Sequence, residues 1–539
     1  MSERRIEHHY LSLLVQRFRE NPEKPVFRQY IGRNDSWDLM TYRALERRLL
    51  VAKTHWHGTL APLRLKPLDI VGLWLTGSKF SDLVNAIAVS ALGYTPQFFS
   101  AYFENISTIL ELLSQSGGKA LIFDTTYTAK VGGGGALEIP HFTALDDSEI
   151  AVASETTKSG ESSAPAFCPD APVGPEDVAA LFHSSGTTGG RPKIIPNTYK
   201  MLNAVIARKL PEAGLFSASG DDAQIVINTI GSLANIATFH IFLGCIYAGG
   251  CLVQSSSLAI TPEEFVGMTR TCSLNRLAVY STFLSNLIRV AKQDNSVKAA
   301  LQGLRDIFHT GVALNKEDDE WAHANGLKVI NSYSTTETGP LMRASGGSDA
   351  FARLLRPLPG SHVVFLPRNN SEDDSGGLQL YELVVPSDSD ECPPPEFCDT
   401  DGYYHTKDLF ECVEDGWVYR GRAGDWLKVV PGFCDTKNME DIVRKACPDL
   451  VHEVVVVGAG RAFPCLVVES AIDGLTDEKR TELSKEIVQR ISELNKNLFP
   501  HERVQDPRKI LVVEKGVLPR TTEKGNVRYE RTHAYGTSI

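Results

Sequence analysis

The stretch that decides the fold runs Asp177-Val-Ala-Ala-Leu-Phe-His-Ser-Ser-Gly-Thr-Thr-Gly-Gly-Arg-Pro-Lys193. Its first half is an apolar run, which predicts a buried strand. Residues 184–193 then carry three glycines, four hydroxyl side chains and two cations. Glycines let the backbone approach a phosphate, N–H and hydroxyl groups donate to its oxygens, and cations neutralise its charge. The stretch therefore predicts a strand that leads into a phosphate-binding loop, with a flexible linker as the alternative.

On both sides of this loop, strand-like apolar runs alternate with helix-spaced patterns, as in residues 69–75 and 79–92. Such alternation predicts an α/β fold with parallel sheets covered by helices. Residues 378–430 indicate short β elements joined by turns. From about residue 424 a smaller α+β unit is predicted, with strands at 453–458, 464–469 and 509–514 and a helix at 475–498.

The loop resembles the phosphate loop of the adenylate-forming superfamily, which includes acyl-CoA synthetases, adenylation domains of nonribosomal peptide synthetases, and luciferases. The match is Ser185-Gly-Thr-Thr-Gly followed by Pro192-Lys193, with one residue more than usual because Gly190 and Arg191 both intervene. The resemblance implies ATP binding by Ser184, Ser185, Gly186, Thr187, Thr188, Gly189 and Lys193.

A second motif, Asn331-Ser-Tyr-Ser-Thr-Thr-Glu337, resembles the Tyr-Gly-x-Thr-Glu motif of the same superfamily, with Ser334 in the place of glycine. The resemblance implies that Asn331, Ser332 and Tyr333 bind ATP, with Tyr333 on the adenine. It also implies that Thr336 contacts the α-phosphate and that Glu337 binds Mg²⁺, which prefers carboxylate and phosphate oxygens. A helix cap is the alternative interpretation of Thr-Thr-Glu.

Two further segments resemble the superfamily's ribose motif and hinge. Tyr404-His-Thr-Lys-Asp408 is similar to Tyr-x-Thr-Gly-Asp, with Lys407 in the place of glycine. Asp408 would accept hydrogen bonds from the ribose hydroxyls, as an acceptor-only carboxylate can, and Arg422 would also contact the ribose. At the hinge, Gly424 stands where the family has aspartate, so the pivot is Gly424 or Asp425.

Near the end of the sequence, Leu518-Pro-Arg-Thr-Thr-Glu-Lys-Gly-Asn-Val-Arg528 resembles the segment that carries the family's catalytic lysine. The Lys-Gly order followed by Asn-Val-Arg looks most like fungal nonribosomal-peptide-synthetase-like carboxylate reductases. We therefore assign Lys524 as the catalytic lysine, with a solvated surface lysine as the alternative. The resemblance implies an N-terminal adenylation core over residues 1–423 and a C-terminal lid over 424–539.

The predicted helix within residues 231–250 indicates which class of acid such an enzyme would activate. Amino-acid-activating relatives place an aspartate near Ile236 to pair the α-amino group, but residues 231–250 contain no acid. Since an unpaired buried ammonium is costly, we expect an acid without an α-amino group, either an aryl or a keto acid. The resemblance suggests a pocket lined by Ile236, Phe239, His240, Thr310, Gly311, Val312, Ser332, Pro340 and Leu341. A core position is the alternative for His240.

Composition limits the other classes of function. The chain has 539 residues and a net charge of −11, which argues against a general nucleic-acid binder. It has neither an N-terminal apolar signal region nor a run of 18 apolar residues, so we expect a cytoplasmic protein that does not insert into membranes. A local cationic loop can still bind ATP in an acidic protein.

The resemblance implies ATP and Mg²⁺ as cofactors, a small carboxylic acid as substrate, and a thiol of CoA or of a carrier protein's phosphopantetheine as acceptor. An amide-forming ligase is one alternative. A non-catalytic nucleotide-binding protein is another, and the departures at Ser334, Lys407 and Gly424 support it. The sequence stops eleven residues after Arg528, so we expect either a stand-alone enzyme or the adenylation domain of a longer synthetase.

Lys524→Ala is expected to abolish acyl-adenylate formation, because the lysine would offset the repulsion between the substrate carboxylate and the phosphates. Acid-dependent pyrophosphate release measures this step. Normal release of pyrophosphate by the variant would show that Lys524 is not the catalytic lysine.

Overall fold

The computed structural model describes most of the chain in segments. The described residues are 9–32, 36–101, 103, 105–132, 137–156, 167–184, 192–212, 214, 216, 224–229, 231–257, 260–310, 314, 316–347, 350–368, 379–423, 426–429, 432–458, 463–495, 498 and 502–518. They form two compact units. The first contains the described residues up to 184, those of 192–363 and those of 385–404; the second contains those of 364–384 and 405–518.

The strands, in chain order, are β1 Pro25–Tyr30, β2 Trp37–Thr41, β3 Ile70–Trp74, β4 Thr95–Phe99, β5 Ala120–Phe123, β6 His141–Thr143, β7 Val178–Ser184, β8 Lys193–Thr198, β9 Val226–Asn228, β10 Cys251–Val253, β11 Arg276–Tyr280, β12 Asp306–Thr310, β13 Val329–Thr335, β14 Gly339–Arg343, β15 Arg356–Pro357, β16 Val364–Pro367, β17 Leu380–Pro386, β18 Tyr403–Val413, β19 Gly416–Arg422, β20 Trp426–Val429, β21 Gly432–Asp435, β22 Val451–Val457, β23 Cys465–Ser470 and β24 Ile510–Val513.

The helices are α1 Tyr10–Glu20, α2 Tyr42–Leu60, α3 Phe80–Ala91, α4 Ile106–Ser116, α5 Thr128–Gly132, α6 Asp147–Thr156, α7 Tyr199–Ala204, α8 Leu210–Glu212, α9 Ile236–Tyr247, α10 Pro262–Cys272, α11 Ser281–Ala291, α12 Asn295–Gln302, α13 Lys316–Ala324, α14 Thr436–Ala446 and α15 Asp477–Asn495. Between α7 and α8 the helix continues as a π-helical turn, Val205–Lys209. Short 3₁₀ turns lie at Ala61–Leu63, Thr125–Tyr127, Ala350–Arg353, Pro395–Phe397 and Pro507–Lys509.

The first unit is built on two sheets. One has the strand order β15-β14-β13-β12-β11-β9-β10-β1-β2 and is parallel from β13 to β1. The other has the order β6-β5-β3-β4-β7-β8 and is parallel except for the β7–β8 pair. Parallel strands need crossover connections, and the intervening helices supply them. The predicted α/β fold with parallel sheets is confirmed.

The second unit has smaller sheets. Most of the sheet β16-β17-β18-β19 belongs to it, with antiparallel β16–β17 and β18–β19 pairs, and β20–β21 is a two-stranded ribbon. The third sheet, β22-β23-β24, packs with α14 and α15 around buried valine, leucine and isoleucine side chains. This agrees with the predicted short β elements and smaller α+β unit, while the boundary at residues 423 and 424 remains a prediction.

Helix α9 is central to the core of the first unit. It begins after Asn235, whose side chain accepts a hydrogen bond from the backbone N–H of Ala237 at 2.9 Å. It ends before Gly249, which adopts φ of +73°, a conformation that glycine takes without steric cost. The centre of the Phe239 ring lies 5.3 Å from that of Phe98, 5.6 Å from that of Phe182 and 6.0 Å from that of Tyr10. This aromatic cluster joins α9 to both sheet and helix neighbours.

Phe239→Ala is expected to lower the free energy of unfolding by about 3–5 kcal/mol, because it leaves a cavity among fully packed rings. Phe351→Ala is the matched control. Its side chain is 54% exposed, so a change within about 0.5 kcal/mol is expected. Chemical denaturation of both variants measures the difference, and equal losses would contradict the core position of Phe239.

Candidate functional site

The two ends of the predicted phosphate loop meet in the structure. Strands β7 and β8 are antiparallel, and Ser184 pairs directly with Lys193. The side chain of Lys193 is exposed. The loop residues between them, including the predicted Ser185, Gly186, Thr187, Thr188 and Gly189, lie outside the described residues. A hairpin base with an exposed cation at one end is compatible with phosphate binding.

The second predicted motif lies on the β13–β14 hairpin. Asn331, Ser332 and Tyr333 are on β13, and Thr336 and Glu337 are in the turn, all of them half-buried. The turn is stabilised by Thr335, whose Oγ1 accepts a hydrogen bond from the backbone N–H of Thr338 at 3.1 Å. A half-buried carboxylate at a strand end suits Mg²⁺, which commonly takes one or two protein carboxylates together with phosphate oxygens.

Beside this hairpin is a cavity of about 60 Å³. Five residues predicted for the acyl pocket line it: Ile236, His240, Thr310, Ser332 and Pro340. The remaining lining residues were not predicted for the pocket and are Leu210, Ala237, Ile241, Ala278, Phe308, His309, Ser334, Thr335 and Gly339. Among the described residues that line the cavity, none carries an acidic side chain.

The other predicted pocket residues lie elsewhere. Phe239 belongs to the aromatic core described above, and Leu341 is fully buried in β14 without lining the cavity. Gly311 and Val312 are outside the described residues. The structure therefore brings together one face of α9, the end of β12 and the β13–β14 hairpin.

Two imidazoles, those of His240 and His309, line the cavity together with four hydroxyl side chains. His240 is 3% exposed, and its Nε2 makes no hydrogen bond within the described part of the chain. Burial, with a further contribution from the Lys209 ammonium, lowers the pKa of His240 to about 3. His309 Nδ1 lies 2.9 Å from Ser281 Oγ, and burial lowers the pKa of this histidine to about 4. Both rings are therefore neutral near pH 7.

Gly339 sets how closely the hairpin approaches α9. Its φ is +69°, and a Cβ atom there would lie 3.3 Å from both His240 Cε1 and Val205 Cγ2. A larger residue would therefore be strained in its backbone and crowded by the cavity wall. Glycine at this position lets the nucleotide motif and the cavity share one hairpin.

In the second unit, the predicted ribose residues are in contact with each other. Asp408 on β18 is 3% exposed, and its Oδ1 accepts a hydrogen bond from Arg422 Nε at 3.1 Å. The Tyr419 hydroxyl donates to the same oxygen at 3.3 Å. Asp408 is thus a buried, oriented carboxylate. Gly424, Asp425 and Lys524 lie outside the described residues.

Lys407, which stands where the family motif has glycine, keeps a glycine-like backbone. Its φ is +61°, in the left-handed region that L-residues rarely adopt. Its N–H donates to Glu382 Oε1 at 3.1 Å, which holds this conformation in place. The departure from the motif therefore changes the side chain, while the backbone at Lys407, directly before Asp408, has the conformation that glycine favours.

The described residues lack two other kinds of feature. Within the described ranges, no group of three or more His, Cys, Asp or Glu side chains is arranged to hold a metal ion. In the same part of the chain, no helix combines the length and apolar character needed to cross a bilayer.

Comparison with known proteins identifies the family. A family model described as AMP-binding enzyme matches residues 15–366, and one described as AMP-binding enzyme C-terminal domain matches residues 434–539. The chain belongs to the AMP-binding enzyme family. Its homologues include fungal enzymes related to nonribosomal peptide synthetases, as the sequence motifs predict.

Two curated proteins and one solved structure are similar to this chain. The chain is 31% identical to the AMP-binding domain-containing enzyme iboA of Amanita muscaria, over 85% of this chain and 87% of that protein. It is 22% identical to the adenylate-forming reductase stbB of Stachybotrys bisbyi, over 85% of this chain and 41% of that protein. The ATP-bound structure of MatB from Rhodopseudomonas palustris covers 97% of this chain and 99% of its own, with a TM-score of 0.68 and 18% identity.

Lys407→Gly is expected to raise the free energy of unfolding by about 0.5–1 kcal/mol. The relief of left-handed strain, about 1–2 kcal/mol, exceeds the added chain entropy of the unfolded state. Lys485→Gly is the opposite control, because this exposed lysine lies within α15 and its loss to glycine should cost about 0.5–1 kcal/mol. Denaturant titrations compare the two variants, and a shift of the same sign in both would refute the strain at Lys407.

Proposed function

We propose that this protein activates a carboxylic acid without an α-amino group, an aryl or keto acid, as its acyl adenylate. It then transfers the acyl group to a thiol, either that of CoA or that of phosphopantetheine on a carrier protein. The observation that carries the choice of acid is the cavity beside the β13–β14 hairpin, whose described lining offers two neutral imidazoles and no carboxylate to pair an ammonium. An unpaired ammonium there would be costly.

In the first step, a carboxylate oxygen attacks the α-phosphorus of ATP and pyrophosphate leaves. Both reactants are anions, so positioning and charge neutralisation supply most of the acceleration. In this proposal Lys193 and the loop after Ser184 hold the phosphates, Thr336 contacts the α-phosphate, and Lys524 bridges the two anions. Mg²⁺, with Glu337 as its protein ligand, supplies further charge neutralisation when bound.

Asp408 and Arg422 would hold the ribose. The buried carboxylate can accept hydrogen bonds from both ribose hydroxyls, and its contacts to Arg422 and Tyr419 fix its orientation. In the second step the thiol attacks the acyl carbonyl, the C–O bond to the phosphate breaks, and AMP leaves. We assign this step to a movement of the lid, residues 424–539, about a hinge at Gly424 or Asp425.

Acid-dependent exchange between ATP and labelled pyrophosphate tests the first step. The acids are matched sets of one carbon skeleton: the 2-oxo acid, the unsubstituted acid, the 2-amino acid, and an aryl acid of similar size. We expect exchange with the oxo or aryl acid to exceed exchange with the amino acid by at least roughly tenfold, since one unpaired buried charge costs at least that much.

The Lys524→Ala variant serves as the inactive control. Exchange with no acid in the panel would instead support a non-catalytic nucleotide-binding protein. Preferred exchange with the amino acid would refute the proposed acid class.

The acceptor is tested separately with the best acid of the panel. CoA, pantetheine and a primary amine are offered in parallel, and the products are resolved by mass. Thioester formation is expected with CoA or pantetheine, because a thiolate is a strong nucleophile toward an acyl adenylate. If an amide is the main product, the acyl acceptor is an amine and the proposed thiol acceptor is wrong.

A further inference from the structure

Lys209 is a buried charge that the proposed chemistry does not use. It ends the π-helical turn, and its side chain is 1% exposed. Its Nζ lies 3.0 Å from Glu391 Oε1, and it also donates to the backbone carbonyl of Pro340 at 3.4 Å. Single π-helical turns within α-helices are frequent at functional sites.

Glu391, the partner of Lys209, is equally buried and is held in place. Its side chain is 1% exposed, and its Oε1 accepts a hydrogen bond from the backbone N–H of His362 at 3.2 Å. Replacing a buried ion pair by packed apolar side chains is often neutral or stabilising, so the pair is weak evidence of a purely structural role. The neighbouring pair of Arg208 and Asp390 is different, because both of its side chains are more than a third exposed.

Lys209 is connected to the acyl cavity through its neighbours. Pro340, whose carbonyl it contacts, and Leu210, the next residue in sequence, both line the cavity. Its charge also acts on His240, which lines the same cavity and has an Nε2 without a hydrogen bond in the described structure. Glu391 offsets part of the field of this ammonium, but solvent screens the remainder only weakly in a low-dielectric interior.

We propose that Lys209 is a specificity-determining residue of the acyl cavity: it favours acids whose substituent is a carbonyl or hydroxyl oxygen and rejects acids that carry an ammonium group. The neutral imidazole of His240 hydrogen-bonds the substrate oxygen, whose partial negative charge the Lys209 ammonium attracts. An ammonium in the same place is repelled and finds no acidic side chain in the described lining. This inference rests on the acid-activating function proposed above.

The test compares the kcat/KM of pyrophosphate exchange for a 2-oxo acid with that for the 2-amino acid of the same skeleton. The informative variant is Lys209→Met with Glu391→Leu, which removes the charge together with its partner and leaves no unpaired ion. We expect the preference for the oxo acid to fall by roughly tenfold or more, with exchange of the unsubstituted acid changed by less than about threefold. Arg208→Met is the matched control in the same π-helical turn. This variant should prefer the oxo acid over the amino acid to the same degree as the unaltered protein.

The outcomes separate this inference from the function on which it rests. A folded double variant, judged by its thermal midpoint, that keeps the original preference would overturn the role of Lys209 while leaving the acid-activating function intact. No exchange by the unaltered protein with any acid would remove that function, and the inference with it. Should the apolar pair fail to fold, Lys209→Gln with Glu391→Gln keeps a hydrogen-bonded pair without charge, and the same fall in preference is expected.

Discussion

The parallel ladder of β11, β12 and β13 is the constraint on which the rest of the site depends. Its register pairs Tyr280 with Thr310 and His309 with Asn331, so the carboxyl ends of all three strands lie at one edge of the sheet. Thr310 Oγ1, at the end of β12, is consequently 3.4 Å from Ser334 Oγ, near the end of β13. Backbone pairing therefore brings the predicted nucleotide motif to the wall of the cavity beside the β13–β14 hairpin. In open α/β sheets, ligands commonly bind at such carboxyl ends.

Much of the fold could be predicted from the sequence because its signals are local. The run before the phosphate loop predicts the strand observed at Val178–Ser184, and the predicted helix at 475–498 is observed at Asp477–Asn495. Apolar periodicity reports burial along one element, and both segments have it. The pairing of elements is not local. Ala278, Phe308 and His309 reach the cavity through the β11–β12 register, and Leu210 reaches it through the π-helical turn, so the sequence motifs did not indicate these residues.

Helix geometry explains which predicted pocket residues line the cavity. Ile236 and His240 are four residues apart on α9, so they share a face, and both line the cavity. Phe239 is turned by about 100° from His240, which directs it into the aromatic core. The sequence analysis suggested both Phe239 and His240 for the pocket, but neighbouring residues on a helix face different surroundings. Lys407 differs from the glycine of the motif in its side chain but has a positive φ, which the sequence does not indicate.

The β13–β14 hairpin has a consequence for how substrate range can change over time. The same short hairpin carries the predicted adenine, phosphate and metal residues and also Ser332, Ser334, Gly339 and Pro340 of the cavity wall. A substitution there that adapts the enzyme to a new acid risks its hold on ATP, which every acid requires. Under the proposed function, we therefore expect substrate choice to diverge at α9, the end of β12 and the π-helical turn, where a change alters the surroundings of the acid and leaves those of the nucleotide intact.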